Sequence, residues 1–286
     1  MNGPPVRIGC VRYLNTLPLV QGLSAWRDAE VVSAVPSRLI NLLLEGRIDL
    51  GLVSVVDFAR SGEPLVMIPA GMIGCDGPTL TVRLYSAVPM ERVRRLHADT
   101  DSHTSVALAR IILARAHGRR EVEVVGFDAS ERASAAGGGG RRESDPWPET
   151  LLLIGDKVVT DAPPEGRYPC ALDLGQAWKD LTGLPFVYAA WMCRRAALED
   201  EATAARVRAA AAVLDRARRR NRMRADWVVA TGAPARGWPE DLARRYVGEY
   251  LRYDVGDRER EAVARFLAEA AALGLAPASA PAWAEV

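Results

Sequence analysis

A chain of 286 residues, 49% of them hydrophobic, is long enough for one large or two smaller cores, and its formal net charge of +1 gives no global field to gather nucleic acid or an acidic membrane. No apolar run approaches bilayer length, and Met1 to Pro5 lack the charged, apolar and cleavage regions of a secretory signal, so a soluble, cytoplasmic protein is expected. Cys10, Cys75, Cys170 and Cys193 are too scattered for a metal or compact disulfide pattern, and His97, His103 and His117 fit no zinc spacing.

The first apolar run, Val6 to Val11, predicts a strand, and Leu17-Pro18-Leu19-Val20 opens a helix because proline suits a first helical turn. Asn15 and Thr16 therefore fall where a strand hands over to a helix, which is where open α/β sheets place ligands. Helix capping is the competing role for both. Val31 to Val35 predicts a second strand. Pro36 to Gly46 predicts a helix with an apolar face of Leu39, Ile40, Leu43 and Leu44, and Ile48 to Val53 a third strand ending at Ser54. Such tight alternation implies right-handed crossovers and a parallel sheet, with Ser54 on the same edge as Asn15.

Leu65 to Pro69 and Thr79 to Ser86 continue as strands, with a glycine-rich turn between them at 71–78. Alternation in the second strand places Thr79, Thr81 and Arg83 on one side, so Thr81 either lines a cleft or simply fills a strand. Ser102, Thr104 and Ser105 gather three hydroxyls at the start of the helix that ends at Gly118. Free amides and the helix dipole favour an anion there, and a carboxylate suits the place. One of the three is enough for a plain cap. His103 has the chemistry of a general base, or of a surface or capping group.

Val122 to Phe127 predicts a strand, and Asp128 to Glu149 then loses all periodicity around Gly137 to Gly140, which predicts a flexible surface loop. No lysine-serine signature follows those glycines, which excludes a phosphate cradle. Thr150 to Asp156 reads as an apolar strand ending in a Gly155-Asp156 turn, whose carboxylate can orient a substrate hydroxyl or only shape the turn. A helix with Gln176, Trp178 and Leu181, the strand Pro185 to Met192, and an Ala/Arg helix follow. Its arginines, Arg216, Arg218, Arg219, Arg220 and Arg222, match the dipole at a helix end and lack interleaved aromatics, so a solvated helix is expected rather than a nucleic-acid site. Two tail helices, opening at Pro239 and Asp257, are expected to pack back on the first domain.

Arg12-Tyr13-Leu14-Asn15-Thr16-Leu17-Pro18-Leu19, the block from Pro36 to Phe58, Ser102-His103-Thr104-Ser105, Ile154-Gly155-Asp156 and Asp173 to Tyr188 together resemble the chorismate dehydratase family of futalosine-route menaquinone biosynthesis, in order over nearly the whole chain. The Tyr-Leu-Asn-Thr-Leu-Pro stretch is the most specific part, since the sister family making 1,4-dihydroxy-6-naphthoate opens with a different Pro-Asn-Asp type motif. The resemblance implies an α/β, two-lobed type II periplasmic-binding-protein-like fold with a cleft between the lobes. The first lobe would span about 1–86 plus 189–286 and the second about 87–188, with crossings near Tyr85 and Tyr188 and the insert at about 128–149 hanging off the second lobe. Thr81 stands where the family carries serine, which keeps the hydroxyl and narrows the pocket.

The reaction implied is a hydro-lyase step, loss of water from the dicarboxylate chorismate, giving 3-[(1-carboxyvinyl)oxy]benzoate without cofactor or metal. Aromatisation supplies the driving force, so the site must position the substrate and exclude water. Asn15 is the expected catalytic residue, holding the substrate's own enolpyruvyl carboxylate as the base. Thr16, Ser54, Thr81, Ser102, His103, Thr104, Ser105, Gly155 and Asp156 are the expected substrate contacts. A non-catalytic carrier of a small anion and the naphthoate-forming sister activity are the rival readings.

Overall fold

The computed structural model describes residues 5–99, 101–128 and 147–285. Most of the expected glycine-rich loop thus lies outside the described residues. The described strands are Val6–Cys10 (β1), Ala29–Ser33 (β2), Leu50–Ser54 (β3), Leu65–Cys75 (β4), Val82–Ser86 (β5), Arg95–Asp99 (β6), Glu123–Phe127 (β7), Thr150–Ile154 (β8), Cys170–Asp173 (β9), Phe186–Arg194 (β10) and Leu251–Arg252 (β11). The α-helices are Leu17–Val20 (α1), Pro36–Leu44 (α2), Val55–Arg60 (α3), His103–His117 (α4), Lys157–Thr160 (α5), Leu174–Thr182 (α6), Glu201–Met223 (α7), Ala225–Gly232 (α8), Glu240–Arg245 (α9) and Asp257–Ala272 (α10).

The strands form two sheets, one of six strands in the order β11-β4-β10-β3-β1-β2 and one of five in the order β7-β6-β8-β5-β9. As the strand-helix alternation predicts, β1 pairs in parallel with β2 and β3. α2 starts at Pro36 and turns Leu39, Ile40, Leu42 and Leu43 inward, all buried, which covers one face of that parallel core. β10 returns from the second sheet and inserts antiparallel between β3 and β4. The chain therefore passes between the sheets in 76–81 and again in 174–185. Tyr85, expected at the first crossing, sits inside β5 and pairs with Ala171 in the five-stranded sheet.

The glycine-rich turn expected at 71–78 is instead mostly strand, because β4 runs on to Cys75. A Cβ on Gly74 would lie 2.5 Å from the Phe186 carbonyl oxygen, so this glycine permits the close approach of β10 rather than a reversal. The register between β4 and β10 shifts near Ala190, opposite Gly71 and Met72. Gly71 has φ +140, a conformation that glycine adopts without strain.

Of the two expected tail helices, α10 packs back on β10 and α3 and also on α4, and α9 packs on α8; the preceding α7 lies on α1 and β4. Phe266 of α10 meets Trp178 and Phe186 edge-on, with ring centroids 6.2 and 5.1 Å away. Burial and edge-to-face contact both favour this cluster where α10 meets the returning strand. Among the arginines of α7, Arg216, Arg219, Arg220 and Arg222 are exposed. Arg218 departs from the solvated-helix expectation, being buried and paired with Asp215 and Asp254.

Candidate active site

The loop after β1 determines how Asn15 is presented. Leu14–Thr16 form a single 3-10 turn, and the Thr16 hydroxyl folds back to donate toward the Val11 and Tyr13 carbonyl oxygens, 2.9 and 2.8 Å away. α1 then begins with Pro18 in its first turn and receives no side-chain cap. The capping role is thus taken by neither Asn15 nor Thr16. Asn15 instead lines a cavity beside Tyr246, and its Oδ1 is buried with no hydrogen-bond partner. Buried polar atoms are nearly always paired, so an unpaired one facing a cavity is where a ligand is expected.

The cavity lies between the two sheets and offers about 60 Å3 to the centres of water-sized molecules. From the six-stranded side it is walled by Val11, Tyr13, Asn15, Pro36, Leu52, Ser54 and Ile73, and from the five-stranded side by Val82, Ser102, Ser105, Ile154 and Gly155. Thr79 and Thr81 on the first crossing, with Tyr188, Ala189, Tyr246 and Leu251, complete the lining. None of these carries a formal charge, so an anion here meets hydroxyls, amides and the start of α4 rather than a lysine or arginine.

Two buried hydroxyl pairs stiffen one wall. Thr81 Oγ1 lies 2.6 Å from the Tyr246 hydroxyl, and Thr79 Oγ1 lies 3.0 Å from the Tyr188 hydroxyl. Burial pushes both phenols above their ordinary range, so they stay neutral and act as hydrogen-bonding groups. Tyr246 opens a short π-helical turn, Tyr246–Tyr250, a distortion that recurs at functional sites. Burial raises the Cys75 thiol to about 12, and its sulfur accepts from Thr79 at 2.8 Å, so it packs as an inert neighbour.

At the tip of α4, Ser102 caps the helix. Its Oγ accepts from the Ser105 amide at 3.2 Å and donates to Ser105 Oγ at 2.9 Å. The Ser105 hydroxyl proton is thereby left for the cavity. Thr104 and His103 turn elsewhere. Thr104 Oγ1 is fully buried and accepts from the Val56 amide at 3.2 Å. His103 Nδ1 lies 2.9 Å from both oxygens of buried Asp57. Both bonds tie α4 to α3, so these two residues join the sheets rather than line the cavity.

Asp156 also acts as a tie. Its carboxylate accepts from the Leu14 amide at 3.2 and 3.3 Å, and burial raises its pKa against the opposing effect of that bond. Beside it the Tyr13 hydroxyl donates to Asp101 at 3.2 Å, and Lys157 bridges Asp99 and Asp101. Burial and the carboxylates Asp101 and Asp99 drive the Tyr13 phenol upward. Gly155 has φ +64, and a Cβ there would lie 3.0 Å from the Tyr13 ring, so glycine is needed both for the turn and for the approach of the loop.

Of the residues singled out from the sequence, Asn15, Ser54, Thr81, Ser102, Ser105 and Gly155 converge on the cavity, whereas Thr16, His103, Thr104 and Asp156 serve the frame around it. Tyr13, Thr79, Tyr188 and Tyr246 were missed. Tyr13 and Tyr188 carried a usable signal, since each lies in a stretch that the family resemblance rests on. Tyr246 carried none, because its place depends on a tail helix returning to the first crossing. Among the described residues no cluster of three or more His, Cys, Asp or Glu offers a metal site.

Two sheets with a cavity between them, joined by two crossings, define a two-lobed periplasmic-binding-protein fold. The alkanesulfonate-binding protein SsuA of Xanthomonas axonopodis pv. citri has this fold, at TM-score 0.68 and 16% identity over all of both chains. So does the aliphatic sulphonate binding protein SsuA of Escherichia coli, at TM-score 0.60 and 14% identity over 96% of this chain and 94% of that one. Sequence narrows the class further. Residues 6–272 match the family described as menaquinone biosynthesis, and the chain belongs to it. It is also 30% identical to the chorismate dehydratase of Thermus thermophilus, over 96% of this chain and 97% of the relative.

Proposed function

We propose that this protein is a chorismate dehydratase, a hydro-lyase of menaquinone biosynthesis that converts chorismate to 3-[(1-carboxyvinyl)oxy]benzoate and water, with Asn15 as its catalytic residue. The observation that carries this reading, beside family membership, is the unpartnered Asn15 Oδ1 buried at an uncharged cavity. Chorismate is a dianion with one ring hydroxyl. One carboxylate suits the Ser105 hydroxyl at the start of α4, where the dipole favours negative charge. Ser54 and Thr81 offer hydroxyls toward the rest of the ring, with Gly155 leaving room beside Tyr13.

No side chain of the lining is an ionisable base at neutral pH, which supports a substrate-assisted step. The enolpyruvyl carboxylate takes the proton from the ring carbon that bears the ether, the adjacent carbon–hydroxyl bond breaks, and the same proton completes the leaving water. An asparagine amide has two donors and an acceptor, so it can hold that carboxylate over the ring proton while its oxygen receives the ring hydroxyl. Aromatisation supplies the thermodynamic drive, and the work of the site is orientation.

The lobe division that suits this reading runs along the crossings, with 5–78 and 184–285 in one lobe and 79–183 in the other. His103, Thr104 and Asp156 would then tie the lobes to one another. No helix among the described residues is long and apolar enough to cross a membrane, in keeping with the cytoplasmic location proposed for a small-molecule enzyme. Incubating the purified protein with chorismate tests the function directly. The aromatic product is expected to accumulate with the loss of chorismate, and chorismate bound but unchanged would leave a carrier instead.

A further inference from the structure

The first crossing contains the chain's one described non-glycine residue with positive φ, Leu80 at +71. A leucine is strained in that region, at a cost that proteins accept mainly where the surrounding structure overrides it. The override is visible. The Asp173 carboxylate accepts from the Leu80 amide at 2.7 Å and from the Thr79 amide at 2.9 Å. It also accepts from the Gly175 and Gln176 amides at 3.0 and 3.2 Å, capping α6. One side chain thus gathers four backbone donors from two segments far apart in sequence.

The strained residue sits between two lining residues. Thr79 and Thr81 flank Leu80, and their hydroxyls meet Tyr188 and Tyr246 respectively. The first turn of α6 presses against the same place, since a Cβ on Gly175 would lie 2.6 Å from Thr79 Oγ1. The backbone rotation at Leu80 therefore sets where both threonine hydroxyls point. A helix cap alone needs only the Gly175 and Gln176 amides, so the two further bonds to the crossing call for a second role.

We propose that Asp173 is a positioning residue, which holds Leu80 in its left-handed conformation so that the Thr79 and Thr81 hydroxyls keep their pairings with Tyr188 and Tyr246 in the cavity wall. Its effect on turnover rests on the proposed dehydratase reading, whereas its effect on the backbone does not. Asp173→Ser separates the two roles, because serine caps a helix but is too short to reach across to the Leu80 amide. Leu80→Gly provides the rescue, because glycine adopts positive φ unaided.

The experiment measures chorismate turnover and thermal melting for the wild type, Asp173→Ser, Leu80→Gly and the double variant. Asp173→Ser is expected to lose about 10- to 100-fold in kcat/KM, and Leu80→Gly is expected to return about tenfold of that in the double variant, as coupled neighbours do. The melting temperature is expected to show the same coupling, with Leu80→Gly less harmful in the serine background than in the wild type. Unchanged turnover in Asp173→Ser, or additive effects in the double variant, would overturn the inference. If Asp173→Ser does not fold, folding regained with Leu80→Gly supports it and folding not regained contradicts it. A wild type without turnover would refute the dehydratase reading, and the coupling in melting would still decide the role of Asp173.

Discussion

The two walls of the cavity carry similar polar residues and use them differently. At the α4 tip the polar groups are largely engaged with protein, as Ser102 serves Ser105, Thr104 serves the Val56 amide and His103 meets Asp57. On the facing loop Thr16 is likewise engaged, but the neighbouring Asn15 Oδ1 is left buried and unpaired. The difference teaches that clustering of polar residues finds the neighbourhood of a site, whereas an unmet hydrogen-bonding demand finds the atom that meets a ligand.

The largest effect should come from the unpaired side. Asn15→Ala is expected to lower kcat by about 100- to 1,000-fold, the scale of losing one oriented polar group at a reacting centre, while circular dichroism and melting stay close to wild type. A full loss of fold instead would make Asn15 structural and erase the contrast between the walls. On the opposite wall Ser105→Ala should raise KM by about 3- to 10-fold with a smaller change in kcat, since it removes one neutral donor to a carboxylate. A loss confined to kcat would move Ser105 to the reacting centre.

Thr104→Val should do the reverse. It leaves the buried Val56 amide without its acceptor, at a cost of about 1–3 kcal/mol in unfolding free energy, while kcat/KM at moderate temperature stays within about twofold of wild type. The smallest effect concerns pH. The Asp156 carboxyl is raised in the folded protein, so its contribution to stability is fully present in acid. That contribution is lost as pH rises from the ordinary carboxylate value, about 3.9, through the folded value. Asp156→Asn should therefore flatten the fall in stability over that interval, as followed by urea melts at several pH values. An unchanged slope would show that the tie from Asp156 to Leu14 carries no proton linkage.

Much of the architecture was legible because it is local. β1, α2, β3, β8 and β10 announce themselves by apolar runs and start or stop residues, and Asn15, Ser54 and Gly155 follow from lying where strands end. What escaped depends on distant partners. The glycines of β4 read as a turn until the Phe186 carbonyl, more than a hundred residues away, is placed against Gly74. The strand β6, Arg95-Leu96-His97-Ala98-Asp99, is too polar to stand out and is fixed by parallel neighbours on both sides.

The site divided in the same way. Three hydroxyls at a helix start were visible in the sequence, but which of them faces the cavity depends on how α4 is rotated against α3, and Val56 and Asp57 settle that. Tyr246 was invisible because a π-helical turn has no periodic signature. Leu80 was hidden for a related reason, since an ordinary apolar residue carries no sign that a remote carboxylate will hold it at positive φ.

The most direct measurement is a structure of the protein with 3-[(1-carboxyvinyl)oxy]benzoate bound. The account predicts the ligand between the two sheets, with an oxygen within hydrogen-bonding distance of the Asn15 amide and a carboxylate at Ser105. A ligand seated elsewhere, with Asn15 Oδ1 still unpaired, would contradict it.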